Sequence, residues 1–405
     1  MDQGHRLIMQ LNLAIGVGPG TVYQVLSFIA CSGGLPEDFF TSPEFESHQL
    51  SGLDFEAIFN FTEQELMTRV GLTSQTAKGC LAGLQDSKLF DSECELLARH
   101  KIDCVTLLDD DYPELLRTIH YPPPVLYMQG EPLDRHAKRL AVVGARAADD
   151  YAQAVLAAVL PDVIAHGWQI VSGGALGADA FAHEITVQSG GRTVVVLGSG
   201  LLCWYPRQNY DLFERVIKSG GTIVSTFPLE MGPDKGHFPA RNRIISGLSQ
   251  GCVVVQAARK SGALITSKFA LEQGRQIFAV PGTLFSPLSE GCHDLIAQGA
   301  CIVTSVQSIL EVLEGVGSVE GQQSLAALHP AKRIIASHTI TLGYQVPKEK
   351  EQVGHPVLNF FEGAMTLDQL VAKSAQTPHE LHDLLFTLQL EGFVKQNFAG
   401  LWERL

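Results

Sequence analysis

The sequence predicts an α/β protein built on an open, doubly wound sheet. Three observations carry that expectation: short apolar runs separated by helical stretches or long loops, glycine-rich loops after the runs, and a cation-rich stretch just ahead of one of them. The runs cover residues 140–143, 169–171, 193–197, 222–226, 252–255, 276–280 and 301–304. They are continuous rather than alternating, as strands buried on both faces are. Sheets of this kind hold ligands beyond the carboxyl ends of their strands.

Length and composition set the surroundings. A chain of 405 residues with 45% apolar content can bury several cores. No apolar run approaches the ~20 residues of a membrane span, and the start Met-Asp-Gln-Gly-His-Arg is unlike a signal peptide, so a cytoplasmic protein with no membrane partner is expected. The eight cysteines (31, 80, 94, 104, 203, 252, 292, 301) form no C-x-x-C pair. They read as reduced thiols, with no metal site. A formal charge of −14 argues against coating duplex DNA through overall charge. The local balance differs: residues 235–275 carry seven Lys/Arg against one acid, Glu272, whereas 86–134 carry eleven acids against four bases.

In chain order, residues 1–85 read as a small helical module. Gly16 and Gly18 sit between two apolar-periodic segments, the pattern of a helix-hairpin-helix, with a more degenerate copy around Gly71; a helical hairpin or sterile-alpha-motif domain is expected. Residues 93–130 turn acidic and proline-rich. Pro122, Pro123 and Pro124 exclude a helix and predict an extended strap.

The sheet region, 86–315, carries the candidate site. Gly144 and Arg146 follow the first run, Ser172 and Gly173 the second, Gly198 the third, Ser261, Gly262 and Thr266 the fifth, and Pro281 with Gly282 the sixth. Glycine lets backbone approach a ligand, and amides opening a helix cradle an anion, so these loops predict a phosphate-lined crest. No Gly-x-Gly-x-x-Gly follows the first run, and no dinucleotide or other cofactor is expected. The stretch 235–245 adds Lys235, Phe238, Arg241, Asn242 and Arg243. A positive groove tracking phosphates, with aromatic faces for bases, is the chemistry that holds single-stranded nucleic acid. Arg146, Lys235, Arg241 and Arg243 supply the charge and Phe238 the ring. Arg241, Asn242 and Arg243 cannot all face a ligand, so one arginine is expected to pair with a buried carboxylate such as Asp179. His237 and Pro239, in an irregular loop, favour partial exposure of Phe238. His183 is expected to be a packing residue, since no nucleophile stands with it as a triad would require.

These motifs are specific. Val142-Val-Gly-Ala-Arg146, Ser172-Gly173 with Asp179, Tyr205-Pro206, Phe238-Pro-x-Arg-Asn-Arg-Ile-Ile245, Ser261-Gly-x-Leu-Ile-Thr266 and Ala279-Val-Pro-Gly282 together resemble the DNA-processing protein A (DprA/Smf) family, over about 109–305. The resemblance implies an extended Rossmann fold, binding of single-stranded DNA, loading of the recombinase RecA onto it during natural transformation, a homodimer, and no enzymatic activity. The family's DNA-contacting arginine falls on Arg146, and its lysine and aromatic on Lys235 and Phe238. Leu176 stands where the family carries an arginine, so no side-chain charge is available there. A competing reading comes from the related nucleotide phosphoribohydrolases, which carry a catalytic glutamate in a comparable loop; Phe269 stands at that position here. A structural adaptor role is the third class, for the terminal modules.

Residues 316–355 read as a linker and 356–405 as a winged helix, in which Thr377 caps a helix opened by Pro378 and Gly392 begins the wing. From His355 to Leu405 six acids stand against three bases. That balance predicts a protein-contact or regulatory module rather than a reader of duplex DNA.

Overall fold

The structure is a computed structural model that describes residues 2–315 continuously and scattered positions between 357 and 404. It falls into two compact units, residues 1–328 and 329–405.

The first unit opens with helices. Asp2 caps α1 (Gln3–Leu13) by accepting from the His5 amide, and Gly16, with φ of 79°, turns the chain into α2 (Pro19–Ser32), whose first helical residue is proline. The degenerate second copy is also helical. Thr62 and Glu65 form a capping box on α3 (Glu63–Glu65), which continues into a π turn and left-handed Gly71 before α4 (Ser74–Gln85). No gap in packing follows at residue 85. Leu7, Leu26 and Cys80 belong to the same buried cluster as Val143, Val171 and Val195 of the sheet, so the amino-terminal helices and one sheet face share a core.

In the next segment the expected extended strap runs on into a strand of the sheet. After α5 (Ser87–His100), β1 (Asp103–Thr106) pairs antiparallel with β2 (Val125–Gly130), with the short α6 (Glu114–Arg117) between them. The three prolines end one residue before β2 and therefore remove no ladder hydrogen bond from it.

The predicted strands follow in order: β3 (Arg139–Val143), β4 (Gln169–Ser172), β5 (Thr193–Val196), β6 (Thr222–Ser225), β7 (Gly251–Val254), β8 (Gln276–Ala279) and β9 (Cys301–Ile302). Between them lie α7 (Asp150–Ala165), α8 (Ala178–Gln188), α9 (Tyr210–Lys218), α10 (His237–Gly247), α11 (Gly262–Glu272) and α12 (Glu290–Ala297), and α13 (Gln307–Glu314) closes the unit. The sheet order is β1-β2-β6-β5-β4-β3-β7-β8-β9, parallel from β6 to β9 and antiparallel at β1 and β2. Leu140 and Val142 of β3 face one core while Ala141 and Val143 face the other. That two-residue alternation explains why the strand reads as a continuous apolar run. From β3 the chain winds outward through β4, β5 and β6, then returns to the other side of β3 as β7. The switch point therefore lies where the β3 and β7 loops diverge, the place where such sheets leave a crevice.

In the second unit, β10 (Val394–Gln396) and β11 (Trp402–Arg404) form an antiparallel ribbon, and Val357, Met365, Leu370, Leu381, Leu385, Val394 and Trp402 form a small core. Leu381 and Leu385, four apart, are buried as an inward leucine face requires. The expected linker and most of the expected winged helix, including Thr377, Pro378 and Gly392, lie outside the described residues.

Candidate nucleic-acid interface

The crevice at the switch point is organised by the first turn of α10. Phe238 lies there rather than in an irregular loop, and Pro239 is tolerated because amides of a first turn have no intrahelical acceptor. The half-buried ring packs over Gly198, at the end of β5. A Cβ on that glycine would fall 3.1 Å from Phe238 Cδ1, so a side chain there would push the ring a few tenths of an ångström off the backbone. Around Phe238 stand Tyr205, with centroids 5.9 Å apart, and the guanidinium carbons of Arg146 at 5.3 Å and Arg241 at 6.0 Å. Distances of this order are those of cation–aromatic attraction.

The two arginines have different fates. Arg146, beyond the end of β3, is exposed. Arg241 is buried, correcting the expectation that it faces DNA: it donates to the carbonyls of Gly173 and Val196, and its Nε bonds Asn242 Oδ1 at 3.2 Å. Burial pushes its pKa down to about 10, which the charge of Asp179 opposes. Asp179 is itself buried, which raises its carboxyl above the usual range, while Arg241 and the Gly173 and Ala175 amides, at 3.1 and 3.3 Å, act in the other direction. Room for this cluster comes from Gly173, where a Cβ would sit 2.6 Å from Arg241 Cζ and 2.7 Å from Asp179 Oδ2. Arg241 and Asp179 therefore stand on either side of Gly173 and act on each other through charge, but the expected direct pair does not form: the guanidinium is hydrogen-bonded to main chain instead.

Three further expected contacts also point inward. Ser172 donates its hydroxyl to Val142 O at 2.6 Å, the Gly173 amide is taken by Asp179, and the Thr266 side chain is buried on α11. Arg243 is drawn sideways, donating to His120 O at 2.7 Å and Tyr121 O at 2.5 Å. Asn242 reaches across the crevice to Gly262 O at 3.3 Å, and Ser261 caps α11 by accepting from Ala263. Gly144, Arg146, Phe238, Ser261 and Gly262 line one cleft of about 190 Å³. Lys235 is exposed in the turn before α10 and makes no ion pair among the described residues.

Two residues had not been assigned to the site. Tyr205, in the loop after β5, and Leu176, before α8, join Arg146 and Phe238 around a second small cleft. A signal existed for Tyr205, since it occupies a loop at a strand's carboxyl end. His183 is a packing residue. Thr193 donates to Ile170 O at 2.8 Å, so His183 Nδ1 donates to the Thr193 hydroxyl at 2.7 Å, and burial lowers the imidazole pKa to about 3.

Residues 103–314 match the family model described as DNA recombination-mediator protein A. The chain belongs to that family. Among curated members, Protein Smf of Escherichia coli is 45% identical over 202 residues, which cover 50% of this chain and 54% of that one. The chain thus spans about half the length of that relative. DNA processing protein DprA of Bacillus subtilis is 41% identical over 213 residues, 52% of this chain and 71% of its own. A solved structure of DNA processing protein A from Streptococcus pneumoniae superposes with a TM-score of 0.60 at 29% identity, covering 76% of this chain and 98% of that one. The matched region holds the sheet and every residue of the crevice. Within it, this member of the recombination-mediator family replaces an expected arginine by Leu176, which is 40% exposed and leaves one wall of the second cleft apolar.

Proposed function

We propose that this protein binds single-stranded DNA at the crevice between the β3 and β7 loops, protecting the strand and presenting it to the recombinase RecA during transformation or recombination. The observation that carries the reading is the exposed Arg146 guanidinium beside the accessible face of Phe238, at the carboxyl ends of a doubly wound sheet. Lys235 and Arg146 neutralise phosphates, and Phe238 with Tyr205 stacks a base. The segment from Lys235 to Gly247 contains no acid, so nothing on α10 repels a backbone despite the net charge of −14. The family's designation as a recombination mediator supports the RecA step, and the family resemblance supports a homodimer acting in the cytoplasm.

The site supplies binding without chemistry. His183 is held neutral and buried, and Phe269 on α11 stands where a phosphoribohydrolase would need its acid. A mobility shift comparing single-stranded and duplex DNA of equal length over a salt series tests the reading. Preference for the single strand, with affinity falling steeply in salt, is the expected result. Equal affinity for both forms would overturn it.

A further inference from the structure

Tyr121 adopts a left-handed backbone, φ 49°, that aromatic residues rarely occupy. The other such non-glycine residue among those described, Lys101, ends a helix, where this conformation is common. What holds Tyr121 is Arg243, which donates to the carbonyls of both His120 and Tyr121. Pro122 to Pro124 stiffen the chain that follows, and Tyr112 anchors it by donating to Pro123 O at 2.8 Å. On this base His120 and Tyr121 lie in contact, ring centroids 3.9 Å apart and planes tilted by 43°, and both are exposed. Tyr23 of α2 props the pair edge-on at 5.8 Å. The result is a rigid aromatic platform turned to solvent, which neither the core nor the Phe238 crevice uses.

The platform and the crevice share a helix. Arg243 lies five residues after Phe238 on α10, an axial rise of ~7.5 Å. Neither 118–127 nor 235–247 contains an acid, and Arg243 makes no ion pair among the described residues, so its positive charge stays at the base of the platform, on the helix whose first turn carries Phe238. The exposed pair Leu284 and Phe285 beyond β8 offers no such route, because Glu290 and Asp294 of the following helix α12 both stand beside Arg259.

We propose that His120 and Tyr121 form a second base-stacking station on the strand that Phe238 engages, with Arg243 fixing the platform and attracting the intervening phosphates. The inference rests on the crevice binding single-stranded DNA. It predicts a longer track than the crevice alone, so its signature is dependence on oligonucleotide length.

The test measures anisotropy of labelled oligothymidines of about 4 and about 16 nucleotides on the full chain. Tyr121→Ala and His120→Ala should each weaken the longer probe by about three- to tenfold, at the low end of stacking on one base, and leave the shorter within about twofold. Tyr121→Phe should keep wild-type affinity for both. His120→Ala guards against misfolding, since its ring is exposed and touches Tyr121 at the surface. Unchanged affinity for the longer probe overturns the proposal, as does equal loss on both probes, which would make the rings a prop for α10. The crevice itself is read separately: Phe238→Ala should weaken both lengths, and if it weakens neither, the site reading fails rather than the platform alone.

Discussion

Arg146 and Arg241 approach the same Phe238 ring, with guanidinium carbons at 5.3 and 6.0 Å, yet one is exposed and the other buried on main-chain carbonyls beside Asp179. Their substitutions should therefore separate. Arg241→Ala leaves Asp179 buried without its counter-charge and should cost about 3–5 kcal/mol of stability. Arg146→Ala should change stability by no more than about 0.5 kcal/mol while weakening single-strand binding. Urea denaturation and anisotropy on the same preparations decide the matter; similar stability losses in both would refute the assignment.

On the proposed function, Lys235 contributes charge and Phe238 surface. Lys235→Ala should flatten the dependence of log affinity on log salt by about one unit, as loss of one phosphate contact does. Phe238→Ala should lower affinity by about 1–3 kcal/mol at unchanged slope. A slope change in Phe238→Ala equal to that of Lys235→Ala would mean that the ring only supports the cation.

His5 is clamped between carboxylates, with Nε2 at 2.8 Å from Asp109 and Nδ1 at 2.7 Å from Asp2, and the Asp109 bond leads in raising its pKa from 6.5 to about 9. Asp110 and Asp111 line the same cleft. A raised imidazole pKa contributes stability that is complete below pH 6.5 and lost as pH climbs through about 9. Asp109, held below 3.8, contributes in the opposite sense, its share vanishing on acidification beneath that value. Partial exposure reduces the effect of His5 to about 1 kcal/mol. Melting curves should show wild type more stable than His5→Gln near pH ~6 and level with it near pH ~10. A constant difference across that range would contradict the clamp.

The purified protein should release no free base from nucleoside monophosphates and should leave labelled oligonucleotides uncut, because Phe269 supplies no acid. Chromatography after incubation checks this. Turnover abolished by Arg146→Ala would restore the hydrolase alternative.

Removing the chain beyond about residue 350 should leave single-strand affinity within about threefold, ~0.6 kcal/mol. The basis is charge: six acids against three bases from His355 onward. A tenfold loss in the shortened, folded protein would place DNA on the carboxy-terminal unit.

The parallel strands were legible because burial on both faces writes an uninterrupted apolar run, as in Leu140 to Val143. β1 was not, since Asp103 is exposed and Cys104 and Val105 are only partly covered at a sheet edge, and β2 was hidden by the three prolines before it. In the site, Phe238 and Arg146 stood out by type and place. The inward turn of Arg241 did not, because it depends on space left by Gly173 and on Asp179, 62 positions earlier in the chain (241 minus 179). Side-chain direction there is a tertiary property, and Arg241 and Arg243 look alike until the neighbours of each are known.

The pairing of β2 with β6 has a consequence for how the chain is made. Gly130 leaves the ribosome 92 residues before Thr222 (222 minus 130), its partner in the ladder. At about 5–20 residues per second, β2 waits roughly 5–20 s with the ladder edge that β6 will cover still unpaired. The acids of 86–134, eleven against four bases, give that open edge a like charge that disfavours pairing with another copy of itself.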